Sequence, residues 1–269
     1  MTLNVMFQKM QKRVKRIFTR QLTHQEFLII NKRNKFKKCV VCGEEFESFA
    51  PYRIHLKNLG AISYFKIIGS DTLNFCCYYC HSTDRDRHLF MYFEKLSLWD
   101  KFQNATVLHF APERAIEKKI TSLNPTKYIK GDLYPKEDWI KVDITDIHFE
   151  NESIDIIICN HVLEHVPDHL KAISEIYRVL KPGGFAVLQT PVSDLLFHHF
   201  SDPNINTDEL RLSFYGQEDH VKVVSKRELY EELSQKFKLS IVKHSDYFNQ
   251  NDALVNGVNY KEDLMLVVK

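Results

Sequence analysis

Long apolar runs are missing from this sequence. The longest uninterrupted ones, such as Ile156 to Cys159, fall far below the ~20 residues that a bilayer demands, which excludes a transmembrane helix. An apolar leader is missing too, because Lys, Arg or Gln interrupts every apolar cluster at the N-terminus, so the chain is expected to be cytoplasmic. Internal repeats and low-complexity segments are absent, which argues against solenoids and flexible linkers. Glycine is scarce, with eight in 269 residues, so few loops can rely on it. Cysteine is sparse and uneven. Of the six, five stand at 39, 42, 76, 77 and 80 and one at 159, a metal-ligand pattern rather than a scattered disulfide framework, which favours a reducing compartment.

What is present fits about two domains, and an apolar fraction of 44% is ample for an ordinary core. The net charge of +2 hides an asymmetry: residues 1–38 hold 11 Lys/Arg against one acid, Glu26, while the rest of the chain is acidic. Phe7, Met10, Val14 and Ile17 recur at spacings of three and four among these bases and predict a basic amphipathic helix. Such an arm suits RNA or an anionic membrane surface, or it packs on its own protein with a solvated face.

Residues 39–100 read as a cysteine-rich module and a connecting helix. Cys39-Val-Val-Cys42-Gly43 and Cys77-Tyr-Tyr-Cys80-His81 form two C-x-x-C knuckles, whose four thiolates suit a tetrahedral structural Zn2+. Gly43 permits the tight turn behind the first pair, and Cys76 is a less well spaced substitute for Cys77. Cys159 ends an apolar strand and reads as core. A helical pattern runs from Arg87 to Trp99. Arg85, Arg87 and His88 could reach an anionic substrate, or mark a solvated helix start.

Residues 101–269 change texture. Strand-like runs at Thr106–Phe110, Tyr128–Asp132, Trp139–Asp143, Ile154–Cys159 and Phe185–Thr190 alternate with helical stretches at Glu113–Ser122, His169–Leu180 and Lys226–Lys236. Leu239–Val242 and Leu264–Val268 add two strands. This predicts an α/β fold, a seven-stranded, mostly parallel sheet with helices on both faces, which binds its ligand at the carboxyl ends of the strands.

The segment IDIIICNHVLEHVPDHLKAISEIYRVLKPGGFAVLQT is the most specific signal. A buried strand ends at Cys159, an amphipathic helix follows, and Pro182 with Gly183 and Gly184 stops that helix and turns the chain. The stretch resembles class I S-adenosylmethionine-dependent methyltransferases, in the type 11-like group whose motif reads LEHV then LKPGG. The resemblance covers roughly residues 106–269 and implies a Rossmann-like sheet and S-adenosylmethionine as cofactor. It also implies that Asp132, with Leu133 beside it, meets the ribose hydroxyls, and that Asp143 meets the adenine amine with Ile144 along the ring. The spacing from Phe110 to Asp132 agrees with a ribose-binding acid, although either aspartate also suits a turn cap.

One motif departs from that family. Where its first loop has an acid and three glycines, this chain reads VLHFAPERA, with His109 for the acid and Ala111, Glu113 and Ala115 for the glycines. Glu113 could repair the loss by meeting the cofactor's ammonium, or could merely complement a helix dipole. Asn160 borders the cleft, and His161, His165 and His220 are candidates for a base or for substrate positioning, or are hydrogen-bonded core histidines. His161-Val-Leu-Glu164-His165 also fits the H-x-x-E-H pattern of a zinc peptidase class, but Pro167 and the flanking KPGG turn oppose the long helix which that motif needs. The expected function is methyl transfer to an oxygen or nitrogen of an unidentified metabolite, sugar or RNA. The alternative is a degenerate relative that only binds the cofactor or acts as a zinc-linked interaction module.

Overall fold

The computed structural model describes residues 36–52, 63–136 and 138–269. The predicted basic helix lies outside them. In chain order the elements are strands β1 (Lys37–Lys38), β2 (Glu45–Phe46) and β3 (Ile67–Ile68), helix α1 (Asp84–Lys95), β4 (Thr106–Phe110), α2 (Arg114–Ser122), β5 (Lys127–Asp132) and β6 (Ile140–Lys141). Then come β7 (Ile154–Cys159), α3 (His169–Val179), β8 (Leu180–Val187), β9 (Val192–Ser193), α4 (Asp208–Tyr215), β10 (Val224–Ser225) and α5 (Lys226–Lys236). The chain ends with β11 (Lys238–Val242), α6 (His244–Tyr247), α7 (Gln250–Asn256) and β12 (Leu264–Val268).

The main sheet has seven strands in the order β11-β12-β8-β7-β4-β5-β6, with β12 antiparallel to both neighbours and the other pairs parallel. Alternation along the central strands supplies both faces with apolar side chains. Leu108, Ile157 and Ala186 face a core shared with Ala172, Ile176, Leu229 and Leu233 of α3 and α5. Val107, Ile156, Ile158 and Val187 face the opposite core, with Leu89, Phe90, Phe93, Ile116 and Ile120 of α1 and α2. The predicted α/β architecture is therefore present. The order reverses between β4 and β7, whose carboxyl ends open the crevice where such sheets bind ligands.

Several boundaries differ from expectation. The connecting helix starts earlier, at Asp84, because Thr83 and Asp86 form a reciprocal capping box, and it stops at Lys95 before a 3-10 turn at Leu98–Lys101. It covers one face of the sheet instead of merely joining two modules. The strand expected at Trp139–Asp143 shrinks to two residues, since Asp143 leaves the ladder to close a turn on Thr145. The helix expected to reach Leu180 ends at Val179, and β8 begins at once, with Leu180 opposite Ile154. Gly183 takes φ +77° as expected, but Gly184 keeps negative φ; a Cβ there would lie 2.8 Å from the Asp155 carbonyl oxygen.

Arg87 fixes the cysteine module to this frame. It is fully buried, and its guanidinium donates to the carbonyls of Phe75 (3.3 Å), Ser82 (2.8 Å), Asn74, Asn256 (2.7 Å) and Gly257 (2.8 Å) while stacking 3.7 Å from the Phe49 ring. A lysine has at most three donors and no planar fork, so at least two buried carbonyls would go unmet. Arg87→Lys is expected to lower stability by on the order of 3 kcal/mol in urea unfolding.

Candidate functional site

The site begins where β4 ends. His109 is wholly buried, and Ala111 takes the left-handed conformation (φ 46°) that a glycine would adopt without strain. Its N–H donates to the Gly131 carbonyl at 2.9 Å, holding the turn against β5. Glu113 is the N-cap of α2 yet makes no capping bond; its side chain turns inward. One carboxylate oxygen accepts from His109 Nε2 at 2.8 Å and the other from Asn160 Nδ2, while the Tyr128 hydroxyl donates to His109 Nδ1 at 2.9 Å. Burial pushes the Glu113 pKa up, but His109 and Asn160 outweigh it and hold the group ionised below its usual value. A carboxylate thus bridges β4 and β7 at the reversal point. Asn160 Oδ1, buried beside it, has no hydrogen-bond partner among the described residues.

Asp132 ends β5 half-buried and accepts the Tyr134 N–H at 2.7 Å, while Asp143 is exposed and accepts the Thr145 N–H and hydroxyl at 2.8 and 2.7 Å. Both therefore act as turn caps, each through one oxygen. Ile144 departs from expectation, since it is 6% exposed and packed into the core. The accessible apolar groups beside these acids are Leu133, Tyr134 and Ile140 instead.

The β7 end carries a buried ionic network. His161 is left-handed (φ 55°) and lies between two carboxylates, with Nδ1 3.3 Å from Glu164 and Nε2 3.4 Å from Glu262. Glu262 also contacts His88 at 3.4 Å, and His88 Nε2 meets His244 Nδ1 at 2.9 Å. Burial and the nearby Arg85 lower the His161 pKa, yet the two carboxylates prevail and hold it above its ordinary value. Reciprocally, burial is overcome at Glu164, which is held at about 2, and Glu262 is held well below the carboxylate range. The two carboxylates thus favour the charged form of His161, which suits charge organisation better than proton removal.

Beside this network lies a cavity of about 170 Å³ between the cysteine module and the strand ends. Its polar lining includes Arg85, His161, Glu164, His165, His220 and Lys222, with Ile67, Pro191 and Val224 among its apolar walls. The His165 and His220 rings meet edge to face at 4.8 Å, and burial lowers the His220 pKa so that this imidazole is neutral. Strand β3 of the module pairs antiparallel with β9, and Ser193 Oγ donates to the Phe65 carbonyl at 2.6 Å, closing one wall. Of the three basic residues after the second knuckle, Arg85 reaches the cavity, Arg87 is structural and His88 joins the ionic network. Sequence reading missed Glu262 and Lys222, which no motif marks.

The four expected cysteines converge. Cys39, Cys42, Cys77 and Cys80 place their sulfurs within 4.8 Å of one another, with Cys39–Cys80 at 3.7 Å and Cys42–Cys77 at 3.9 Å. Thiolates at ~2.3 Å from one zinc lie about 3.8 Å apart at tetrahedral angles, so this donor set fits the ion. Each knuckle closes through an N–H to the first cysteine's carbonyl, from Gly43 at 2.7 Å and His81 at 2.9 Å. Both residues have positive φ. Cys76 stands outside the group with its sulfur toward the Cys77 carbonyl, and Cys159 is buried core.

Residues 103–188 match the family model of a methyltransferase domain. A sterol 24-C-methyltransferase of Clavispora lusitaniae is 31% identical over 128 residues, covering 46% of this chain and 32% of that protein. A ubiquinone/menaquinone biosynthesis C-methyltransferase of Brucella anthropi is 33% identical over 79 residues, covering 27% of this chain and 30% of that protein. The chain thus spans a third or less of these relatives. Among solved structures, an S-adenosylmethionine-dependent methyltransferase of Mesorhizobium loti aligns with TM-score 0.49 and 12% identity over 66% of this chain and 98% of that one. The matched stretch runs from the last turn before β4 to the end of β8.

The raised His161 pKa sets a pH dependence. Because the folded value exceeds the unfolded 6.5, the protonated ring's stabilisation is complete below about pH 6.5 and is lost as pH climbs through the raised value. The stability difference between wild type and His161→Gln should therefore be larger near pH 6 than near pH 9 in paired urea titrations. A difference that grows toward alkaline pH would mean that the folded protein keeps this ring neutral.

Proposed function

We propose that this chain transfers a methyl group from S-adenosylmethionine to an oxygen or nitrogen of an acceptor that enters the cavity between the cysteine module and the strand ends. The observation that carries the reading is the methyltransferase domain match over residues 103–188, whose strand ends carry acceptor groups suited to that cofactor. Glu113 and the unpartnered Asn160 Oδ1 suit an ammonium; Asp132, with one oxygen uncommitted, suits vicinal hydroxyls, and Asp143 suits an amine. Exposed Leu133 and Ile140 offer a base an apolar surface. The cofactor supplies an electrophilic methyl on a sulfonium.

The protein's own task is to hold the nucleophile in line with that methyl and to take its proton where it has one. His220 is neutral and lines the cavity, which suits it for the proton. Arg85 also lines the cavity, its Nε buried and without a hydrogen-bond partner among the described residues, which favours an acceptor bearing an acidic group. The non-catalytic alternative drew on the missing glycines, and Ala111 weakens it by already adopting the left-handed turn. The four thiolates we assign to a structural zinc that holds the module forming the cavity's outer wall. The basic arm we assign to an anionic surface, RNA or membrane, through salt-sensitive contacts.

Calorimetric titration should give micromolar dissociation constants for S-adenosylmethionine and its demethylated product, roughly −8 kcal/mol. Asp132→Ala and Glu113→Ala should each weaken binding at least several-fold, and absence of heat with both ligands on the wild-type chain would end the proposal. Elemental analysis of the purified chain should find one zinc bound at the thiolates, lost in Cys77→Ser with a lower melting temperature. A metal-free chain of unchanged stability would remove the zinc.

A further inference from the structure

Among the described residues, two groups besides the four thiolates bring together histidine and carboxylate side chains at ligand spacing, and their hydrogen bonds separate them. In the first, His169 and His199 direct their Nε2 atoms to Glu232 at 3.0 and 3.2 Å. Their Nδ1 atoms accept from Lys222 Nζ at 2.7 Å and from the Ser225 N–H at 2.9 Å. With Nδ1 accepting, each ring donates from Nε2 to Glu232. No imidazole lone pair is left for a cation, so the two rings of this group are already satisfied.

The second group has the opposite polarity. His165 donates from Nδ1 to the Asp219 carbonyl at 3.1 Å, and His220 donates from Nδ1 to the Tyr215 carbonyl at 3.3 Å. With Nδ1 donating, the neutral form of each ring is the tautomer whose Nε2 carries a free lone pair. Glu164 is 1% exposed, and its Oε2 has no hydrogen-bond partner among the described residues. Ligand atoms of the three residues lie within 4.8 Å of one another, and all three line the cavity. Ligands ~2.1 Å from one ion stand at most about 4.2 Å apart, so a modest rotation closes the set. His165, whose side chain is 29% exposed, has room for it.

We infer that Glu164, His165 and His220 form a second metal site, for a divalent transition cation, in the wall of the acceptor cavity. Two imidazole nitrogens and one carboxylate suit the series from Mn2+ to Zn2+ better than Mg2+ or Ca2+, and three protein ligands leave positions open to the cavity. Asp219 Oδ2, 3.5 Å from His165 Nδ1, supplies the outer carboxylate common behind a ligating histidine. The cation's role rests on the methyl-transfer reading: it would anchor an acceptor oxygen and lower the pKa of its proton, taking over from His220, whose lone pair it occupies. The site itself requires no methyl transfer.

The test is an Mn2+ titration of the full-length chain carrying a single equivalent of zinc, confirmed by elemental analysis, followed by electron paramagnetic resonance without S-adenosylmethionine, so that its failure is separate from failure of cofactor binding. Mn2+ disfavours thiolates and leaves the cysteine site aside. One equivalent should bind, at least ten-fold more weakly in His220→Ala and in Glu164→Gln, with zinc content and melting temperature of each variant recorded as the fold control. Should both variants prove misfolded, His165→Gln, at the more exposed ring, decides by the same criterion. Absence of bound Mn2+ in the wild type, or unchanged affinity in the folded variants, overturns the site.

Discussion

The Arg87 guanidinium is the constraint on which the rest of the molecule depends. Its donors reach carbonyls in the cysteine module, in the turn opening α1 and in the turn after α7, so a single planar group brings three separate stretches of chain together. A buried cation is costly unless its hydrogen bonds are met, and the five carbonyl contacts with the Phe49 ring beneath it offset that cost. Gly257 shows how close this packing is: at φ +60°, an added Cβ would collide with the Phe49 ring and lie 2.9 Å from Asn74 Cβ. The module thereby lies over the strand ends, and its Gly69, Thr72 and Phe75 become walls of the cavity. Without the junction the crevice would be an open sheet edge.

Inside that wall the electrostatics run through carboxylates that stay ionised despite burial. Glu113 bridges β4 and β7, while Glu164 and Glu262 flank His161 one layer closer to the cavity. Burying such charges is unfavourable unless each finds a partner, and here histidines supply the compensation. The consequence is a division of labour among the three candidate histidines. His161 balances two acids, whereas His165 and His220 hold backbone carbonyls through Nδ1 and line the cavity beside Glu164.

The central sheet was legible because β4, β7 and β12 are buried strands bounded by turn signals, and the LEHV and LKPGG runs fixed their connectivity. The four thiolate positions were legible for the same reason, since knuckle spacing is local. What escaped depends on distant pairing. Glu262 lies far along the chain from His161 and sits in no pattern, and Lys222 meets Pro167 and His169 only after folding. The strands β3, β9 and β10, two residues each, form a small sheet across the cavity that is too short to leave a periodic trace. Ile144 was misassigned because position along a motif does not reveal which face a residue takes; it packs inward, and Leu133 is the neighbour left exposed.

The first loop shows how a chain poor in glycine retains the turn. A left-handed Ala111 costs about 1–2 kcal/mol relative to a right-handed residue. The Ala111 N–H to the Gly131 carbonyl and the His109–Glu113–Asn160 chain act against that cost, since both need this turn to place the backbone and the carboxylate between β4 and β7. Glycine is kept on β5, where a Cβ on Gly131 would come within 3.1 Å of the Val142 side chain, closer than ordinary packing. Side-chain hydrogen bonds thus replace glycine at the turn itself. A loop built this way is pre-organised by charge and owes less to a bare backbone, so its shape depends on Glu113 remaining ionised.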